Sequence, residues 1–113
     1  MSDVVFKDAD ADVTVTASSP VTHECPFADE TDHGTITVTW RCNGSTIELH
    51  SLAEFLTSYT HQVISHEALV EDIFNRLDTG AAGITIVAVA ARFTTAGIDV
   101  EVSRAVPVHS VES

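Results

Sequence analysis

The sequence predicts an α+β fold in which one four-stranded antiparallel sheet carries two helices on one face. Two segments of alternating apolar and polar residues come first, two segments with helical spacing follow, and two strand-like segments close the chain. Strands grouped before and after a helix pair, in the order ββααββ, favour an antiparallel sheet over alternating parallel units. A chain of 113 residues builds one core, so we expect a single domain over 1–113 with its core at about 11–105.

The first two strands are predicted from strict alternation. Residues 12–17 read Asp-Val-Thr-Val-Thr-Ala, and residues 35–40 read Thr-Ile-Thr-Val-Thr-Trp. The acidic residues 1–10 are expected to be flexible. Residues 21–33 have no period and are expected to form a loop, and Asn43-Gly44 is expected to form a turn.

Two amphipathic helices are predicted next. Ser51, with Glu54 three residues later, has the pattern of a capping box, and helical spacing then continues to Val63. The second helix is predicted from Ser65 or His66 to Leu77, with Gly80 closing it. The predicted inward residues are Leu52, Phe55, Leu56, Tyr59 and Val63 in the first helix, and Leu69, Val70, Ile73, Phe74 and Leu77 in the second.

The last two strands are predicted to form a hairpin. Residues 84–93 are apolar and rich in β-branched side chains, and residues 98–104 alternate cleanly after the turn at 94–97. The residues after Pro107 are expected to form a tail. Because such a sheet leaves two open edges and a partly apolar second face in an isolated chain, we expect a homo-oligomer.

The chain is strongly acidic. It has 17 acidic and 5 basic residues, Lys7 being its only lysine, and a formal net charge of −12. At ordinary salt this surface repels nucleic acids and anionic membranes. It is also typical of proteins that work in concentrated salt, where the Debye length falls to about 3 Å. We favour the halophilic interpretation, under which charge does not exclude a nucleic-acid partner.

The cellular location is predicted from the lengths of the apolar runs and from the number of cysteines. No apolar run approaches the roughly 18 residues of a membrane span, and the first residues do not resemble a secretion signal. We therefore expect a cytoplasmic protein with no membrane partner, in which Cys25 and Cys42 are reduced thiols.

Cys25 is a candidate nucleophile in the predicted loop. It precedes Pro26, and Asp32 follows seven positions later. Its acidic neighbours disfavour a thiolate, and His23 favours one only when protonated. Asp32 is either a general acid or one of many surface carboxylates. From these residues alone, a reactive site and an ordinary loop with an inert thiol both stay open.

His66 and Glu67 lie at the joint between the two predicted helices. Glu67 there stabilises the helix dipole, or accepts two parallel hydrogen bonds from a guanine-like edge, and these roles are compatible. We expect no metal, since the histidines and cysteines lack the short spacings of a zinc site. Those considered are His23, Cys25, His33, Cys42, His61 and His66.

Taken in order, these residues resemble the QueF family, the nitrile reductases of queuosine biosynthesis, and their short QueF-like relatives. The resemblance extends from about Thr22 to Arg104. It implies the tunnelling fold, whose ββααββ units assemble into oligomeric barrels with active sites at subunit interfaces. It is carried by Cys25-Pro26, Asp32, the alternating strand to Trp40, Glu48 before the first helix, and His66-Glu67.

The resemblance also implies roles for these residues. Cys25 attacks the nitrile carbon of 7-cyano-7-deazaguanine and forms a covalent thioimide, Asp32 donates or relays protons, and Glu67 anchors the base. His66 is assigned a supporting catalytic role, and Glu48 a place in substrate binding.

One departure from the family pattern separates its two branches. The reductases carry lysines near the helix entry that bind NADPH phosphates, whereas this chain has His50 and Ala53 there. The missing charges argue against a phosphate-rich cofactor, so we expect none. We predict an archaeosine-forming amidinotransferase that acts on 7-cyano-7-deazaguanine, free or in tRNA, with an ammonia donor. An NADPH-dependent reductase and a non-catalytic purine- or pterin-binding protein are the alternatives.

Overall fold

The computed structural model describes residues 3–106, and its elements follow the predicted order ββααββ. The strands form one antiparallel sheet in the order β1-β2-β3-β4, with both helices on one face. The tail predicted after Pro107 lies outside the described residues. No helix within residues 3–106 is long and apolar enough to cross a membrane. The strands are β1 (Phe6–Glu24), β2 (Thr31–Ile47), β3 (Ile84–Thr95) and β4 (Ile98–Ala105), and the helices are α1 (Leu49–Thr57) and α2 (His66–Leu77).

The core lies between the sheet and the helices. Ile36, Val38 and Trp40 project from β2 toward the helices and are at most 1% exposed, as their alternation predicts. Leu69 and Ile73 of α2 are fully buried against them. Burying one such side chain stabilises the fold by about 1.5–3 kcal/mol, so this face sets the register of β2.

The opposite face of the sheet is polar and carries no helix from the described part of the chain. Hydroxyl pairs bridge β1 and β2 there: Ser18 Oγ lies 3.0 Å from Thr37 Oγ1, and Thr16 Oγ1 lies 3.4 Å from Thr39 Oγ1. Threonine favours strands and exposes a hydroxyl, so this face tolerates water in an isolated chain. The predicted oligomeric barrel stays a prediction.

The predicted loop at 21–33 is wrong over most of its length. β1 continues to Glu24 and β2 begins at Thr31, so only the six residues 25–30 form the loop. The alternation continues through this region, but polar His23 and Asp32 and the small Gly34 occupy inward positions where an apolar residue is usual. The hydrophobic period therefore disappears although the strands do not.

The turn predicted at Asn43-Gly44 is also wrong, and so is the flexible start over residues 6–10, while residues 1–2 lie outside the described residues. Both segments pair with each other: β1 begins at Phe6, opposite Ile47, and Ala9 lies opposite Gly44. A register shift between Ala9 and Asp12 marks a bulge, and Gly44 adopts a φ of 111°, which favours glycine. The Asn-Gly sequence thus serves a bulge inside a long strand.

Helix α1 begins earlier and ends earlier than the spacing predicts. Its N-cap is Glu48, whose carboxylate accepts from the backbone N–H groups of His50 and Ser51. The Ser51 hydroxyl instead donates to the Glu48 carbonyl and accepts from the Val5 N–H. The helix ends at Thr57, and Val63, predicted to be inward, is 68% exposed. For α2, the predicted start at Ser65 or His66 and the end at Leu77 are confirmed, with Ser65 as N-cap.

The cap at Glu48 gives a prediction for stability against pH. The backbone and side-chain hydrogen bonds from His50, with that from the Ser51 N–H, lower the pKa of Glu48 to about 2. A depressed pKa stabilises the fold above the unfolded value, about 4.5, and this contribution is lost as the pH falls toward 2. We expect Glu48→Gln to lower the melting temperature at pH 7, with the difference disappearing between about pH 5 and 2.

The measurement is thermal unfolding of both proteins across this pH range. Glu54→Gln is the matched control, because Glu54 is exposed on the same helix. A difference between wild type and Glu48→Gln that is unchanged at pH 2 would contradict the assignment of the cap.

Candidate active site

A buried polar cluster lies at one end of the sheet. His23, on β1, and Asp32, on β2, are paired partners in the register, and both side chains project toward the helices. His23 is fully buried and Asp32 is 6% exposed. Burying two such groups is costly unless they are paired, so apolar packing alone does not account for these positions.

The end of β1 fixes where helix α2 begins. The Glu24 N–H donates to the Gln62 carbonyl at 2.8 Å, and the Ile64 N–H donates to the Glu24 carbonyl at 3.0 Å. These bonds form a short parallel bridge between Glu24 and Val63. Because α2 starts two residues after Ile64, at His66, the bridge holds the imidazole of His66 beside His23.

His66 is held by three contacts. Its Nδ1 lies 2.9 Å from His23 Nε2, and its Nε2 lies 3.0 Å from the Thr95 hydroxyl at the end of β3. Its ring stacks on Phe93, with centroids 4.1 Å apart and an interplanar angle of 12°. A ring fixed at both nitrogens and on one face has a single orientation, as a catalytic histidine requires.

Gly34 makes this stack possible. A Cβ at this position would lie 2.5 Å from the Phe93 ring and still closer to the Arg92 carbonyl oxygen. The Phe93 ring therefore lies directly over the glycine backbone, and any side chain there displaces the ring that supports His66.

The Asp32 carboxylate faces this cluster from β2. Its oxygens lie 3.5 Å from the Thr95 hydroxyl, 3.9 Å from His66 Nε2 and 4.0 Å from His23 Nε2. Only the first is at hydrogen-bond distance, and it is long for an O–H···O bond. In the described chain the carboxylate thus keeps unused acceptor capacity in a nearly closed site.

Cys25, two residues after His23, is the first residue of the loop 25–30. The loop is closed by the Cys25 N–H, which donates to the Glu30 carbonyl at 3.0 Å. The thiol is partly exposed, and its sulfur accepts from the Phe27 N–H at 3.4 Å. Cys42, by contrast, is buried in the core.

Glu67 and Glu48, the two predicted substrate-binding residues, lie at different places in the fold. Glu67 follows His66 in the first turn of α2, where its side chain is exposed beside the cluster. Asp32 lies near the start of β2, whereas Glu48 follows the end of this 17-residue strand. The longest dimension of the molecule is 45 Å. Within one chain the structure brings together Asp32 and His66. Glu67 follows His66 directly, Cys25 follows His23 by two residues, and Glu48 is not brought to the cluster.

The electrostatics of the cluster favour the neutral imidazole of His66. Desolvation first, and the neighbouring His23 second, lower the pKa of His66, while Asp32 and Glu67 oppose this shift. A neutral ring offers one N–H and one lone pair, so His66 can donate at one nitrogen and accept at the other.

The same residues have the composition of a possible metal site. His23, Asp32 and His66 each offer a ligand atom, and these atoms lie within 4.8 Å of one another. However, His23 Nε2 and His66 Nδ1 are already joined by their hydrogen bond, so a metal between them would have to break it. The expectation of no metal stays a prediction.

Sequence reasoning did not find the partners of His66. Thr95 and Gly34 carry no motif, Phe93 has only the pattern of a strand residue, and His23 has only that of a scattered metal ligand or a neighbour of Cys25. The one usable signal was a histidine two residues before Cys25, at an inward position of an extended β1. Seeing it required knowing that the strand continues to Glu24.

Comparisons with known proteins agree with this fold. A family model described as QueF-like protein matches residues 31–109, a range that includes Asp32, His66 and Glu67 and begins after Cys25. The crystal structure of the archaeosine synthase QueF-Like in the apo form is similar, with a TM-score of 0.74 and 20% sequence identity. The alignment covers 83% of this chain and 96% of that one. No curated protein matches this sequence.

Proposed function

Since this chain belongs to the QueF-like protein family, we propose that it converts the nitrile of 7-cyano-7-deazaguanine into the amidine of archaeosine through a Cys25 thioimide. The observation that carries the proposal is the grouping of Asp32 with His66 in one buried cluster, two residues from the Cys25 loop. Nucleophilic addition to a nitrile needs a nucleophile, for which a thiol serves, and groups that transfer protons, for which a carboxyl group and an imidazole serve.

The first half of the proposed reaction is addition of the thiol. The Cys25 sulfur forms a bond to the nitrile carbon, the C≡N bond becomes C=N, and the nitrogen gains a proton from Asp32. The proton that leaves the Cys25 thiol restores the one that Asp32 gives up. No oxidant or reductant is consumed, and the product is a thioimide on the enzyme.

The second half is displacement by ammonia. The nitrogen of ammonia bonds to the thioimide carbon, the carbon–sulfur bond breaks, and one proton of the ammonia passes to the sulfur, so that the Cys25 thiol is regenerated as the amidine leaves. The two halves together add one ammonia to one nitrile, so the atoms balance without a cofactor.

The surroundings of α1 support ammonia over hydride transfer from NADPH. Glu48 occupies the two backbone N–H groups at the start of this helix, which are the groups that would otherwise receive a phosphate. His50, at one position where the family reductases carry lysine, is exposed and bonded to the same Glu48. This helix end is therefore acidic, and it repels the phosphates of a dinucleotide.

The position of Glu48 also bears on the oligomer. Because it lies beyond the far end of β2 from Asp32, Glu48 and Cys25 can share one site only if different copies of the chain supply them. The proposed enzyme is accordingly a homo-oligomer whose substrate is bound between copies, with Glu67 at the cluster as the proposed anchor of the base.

The experiment is intact-mass measurement after mixing the protein with 7-cyano-7-deazaguanine, either free or carried in a tRNA transcript. We expect an adduct equal in mass to the whole ligand in the wild type and none in Cys25→Ala. Adding ammonium should then release the amidine. Release by NADPH instead would establish the reductase, and binding without an adduct would establish a non-catalytic protein, so either outcome overturns the proposal.

A further inference from the structure

The buried cluster continues as one chain of polar contacts across three strands and a helix. From the Glu24 carbonyl it runs to His23 Nδ1 at 3.3 Å, from His23 Nε2 to His66 Nδ1 at 2.9 Å, and from His66 Nε2 to Thr95 Oγ1 at 3.0 Å. It ends at Asp32, 3.5 Å from Thr95. Sequence-based roles cover only the two members Asp32 and His66.

The Glu24 carbonyl determines which group donates and which accepts along this series of hydrogen bonds. A carbonyl oxygen can only accept, so His23 must carry its proton on Nδ1. If His23 is neutral, its Nε2 accepts, and His66 must therefore donate from Nδ1. A neutral His66 then accepts at Nε2, which leaves Thr95 as the donor to His66.

Thr95 has one hydroxyl proton and two acceptors facing it. When it donates to neutral His66, no donor within the described residues reaches the Asp32 carboxylate, which is 6% exposed. A buried acceptor left without a donor destabilises the fold, and more so when it is charged. One additional proton removes the conflict, because either Asp32 then donates to Thr95, or His66 donates to Thr95 and Thr95 donates to Asp32.

We propose that His23, His66, Thr95 and Asp32 form a relay that holds one extra proton, shared between the Asp32 carboxyl group and the His66 imidazole through the Thr95 hydroxyl. Moving the proton transfers one hydrogen from Asp32 to Thr95 and one from Thr95 to His66, and no other bond changes. His23 is a positioning residue that sets the polarity, and Thr95 is the connecting residue.

The catalytic use of this relay rests on the proposed function. In the addition step, Asp32 gives its proton to the nitrile nitrogen, and the proton from the Cys25 thiol refills the relay, so the relay ends the step as it began. Among residues 3–106, two further charged groups lie near the relay. Glu67 on α2 lies beside His66, and the Glu24 carboxylate on β1 is turned to the Thr31 hydroxyl. The existence of the relay can be tested without any substrate.

The experiment is NMR of the full chain with ¹⁵N-labelled histidine and ¹³C-labelled aspartate carboxyl groups. We expect both His23 and His66 to carry their proton on Nδ1 at neutral pH. On titration, the ¹⁵N signals of His66 and the ¹³C signal of Asp32 should change together, since a shared proton belongs to the pair. Thr95→Val should uncouple the two changes, whereas Thr95→Ser should keep them together.

Asp32→Asn provides a second variant. The side-chain amide can donate to Thr95 as a protonated carboxyl group does, so the histidine tautomers should be unchanged and His66 should stay neutral. A proton on Nε2 of His23, or independent titration of His66 and Asp32 in the wild type, would overturn the proposal. Neither result depends on adduct formation, so failure of the relay and failure of the proposed reaction are distinguishable.

Discussion

Cys25→Ser is expected to lower the rate of amidine formation by at least about 10⁴-fold while the protein stays folded. Serine has nearly the same shape, but its hydroxyl is not ionised near neutral pH, so the step that forms the covalent bond loses its nucleophile. Steady-state rates with 7-cyano-7-deazaguanine and ammonium measure this loss.

Cys42→Ser is the matched control for this change. Cys42 is 1% exposed in the core, and a buried hydroxyl without a partner costs about 1–3 kcal/mol of unfolding free energy. We therefore expect Cys42→Ser to lower the melting temperature with little change in rate below it. Equal rate losses in the two variants would contradict the role of Cys25.

Gly34→Ala is expected to destabilise the protein by about 1–3 kcal/mol and to impair the reaction together with the fold. The added methyl group would overlap the Phe93 ring and the Arg92 carbonyl oxygen, so the ring must move. Because His66 stacks on that ring, its hydrogen bonds to His23 and Thr95 lengthen as well. Unfolding in urea and the ¹⁵N shifts of His66 measure the two effects.

Thr35→Ala is the matched control here. It lies next to Gly34 on β2, but its side chain projects to the open face of the sheet and is exposed. We expect this variant to leave the His66 signals unchanged. Unchanged His66 signals in Gly34→Ala would mean that the stack on Phe93 does not position the imidazole.

The order of elements could be predicted from the sequence because the core residues repeat with the period of their element. Ile36, Val38 and Trp40 alternate along β2, and Leu69 and Ile73 recur at helical spacing along α2, so each pattern identifies one buried face. The same regularity predicted the start of α2 at Ser65 or His66, and the helix begins at His66.

The sequence predictions are wrong where polar side chains or hydrogen bonds to the backbone take the place of the apolar period. His23 and Asp32 occupy inward positions of β1 and β2, which made two strand ends look like a loop. Glu48 caps α1 with a carboxylate, although the capping-box pattern pointed to Ser51. At Ser51 the local signal fails because a partner of its hydroxyl, the Val5 N–H, comes from elsewhere in the chain.

The sequence by itself therefore determined the α+β class and the candidates Cys25, Asp32, His66 and Glu67. Only the tertiary structure decided that His66 is hydrogen-bonded to His23 and Thr95 and that Gly34 makes room for the Phe93 ring on which His66 stacks. It also decided that Glu48 lies at the other end of the molecule. The physical reason is that core side chains are selected along one element and leave a period. The site is assembled from strand ends 43 and 29 residues away from His66, and contacts across such separations leave no local pattern.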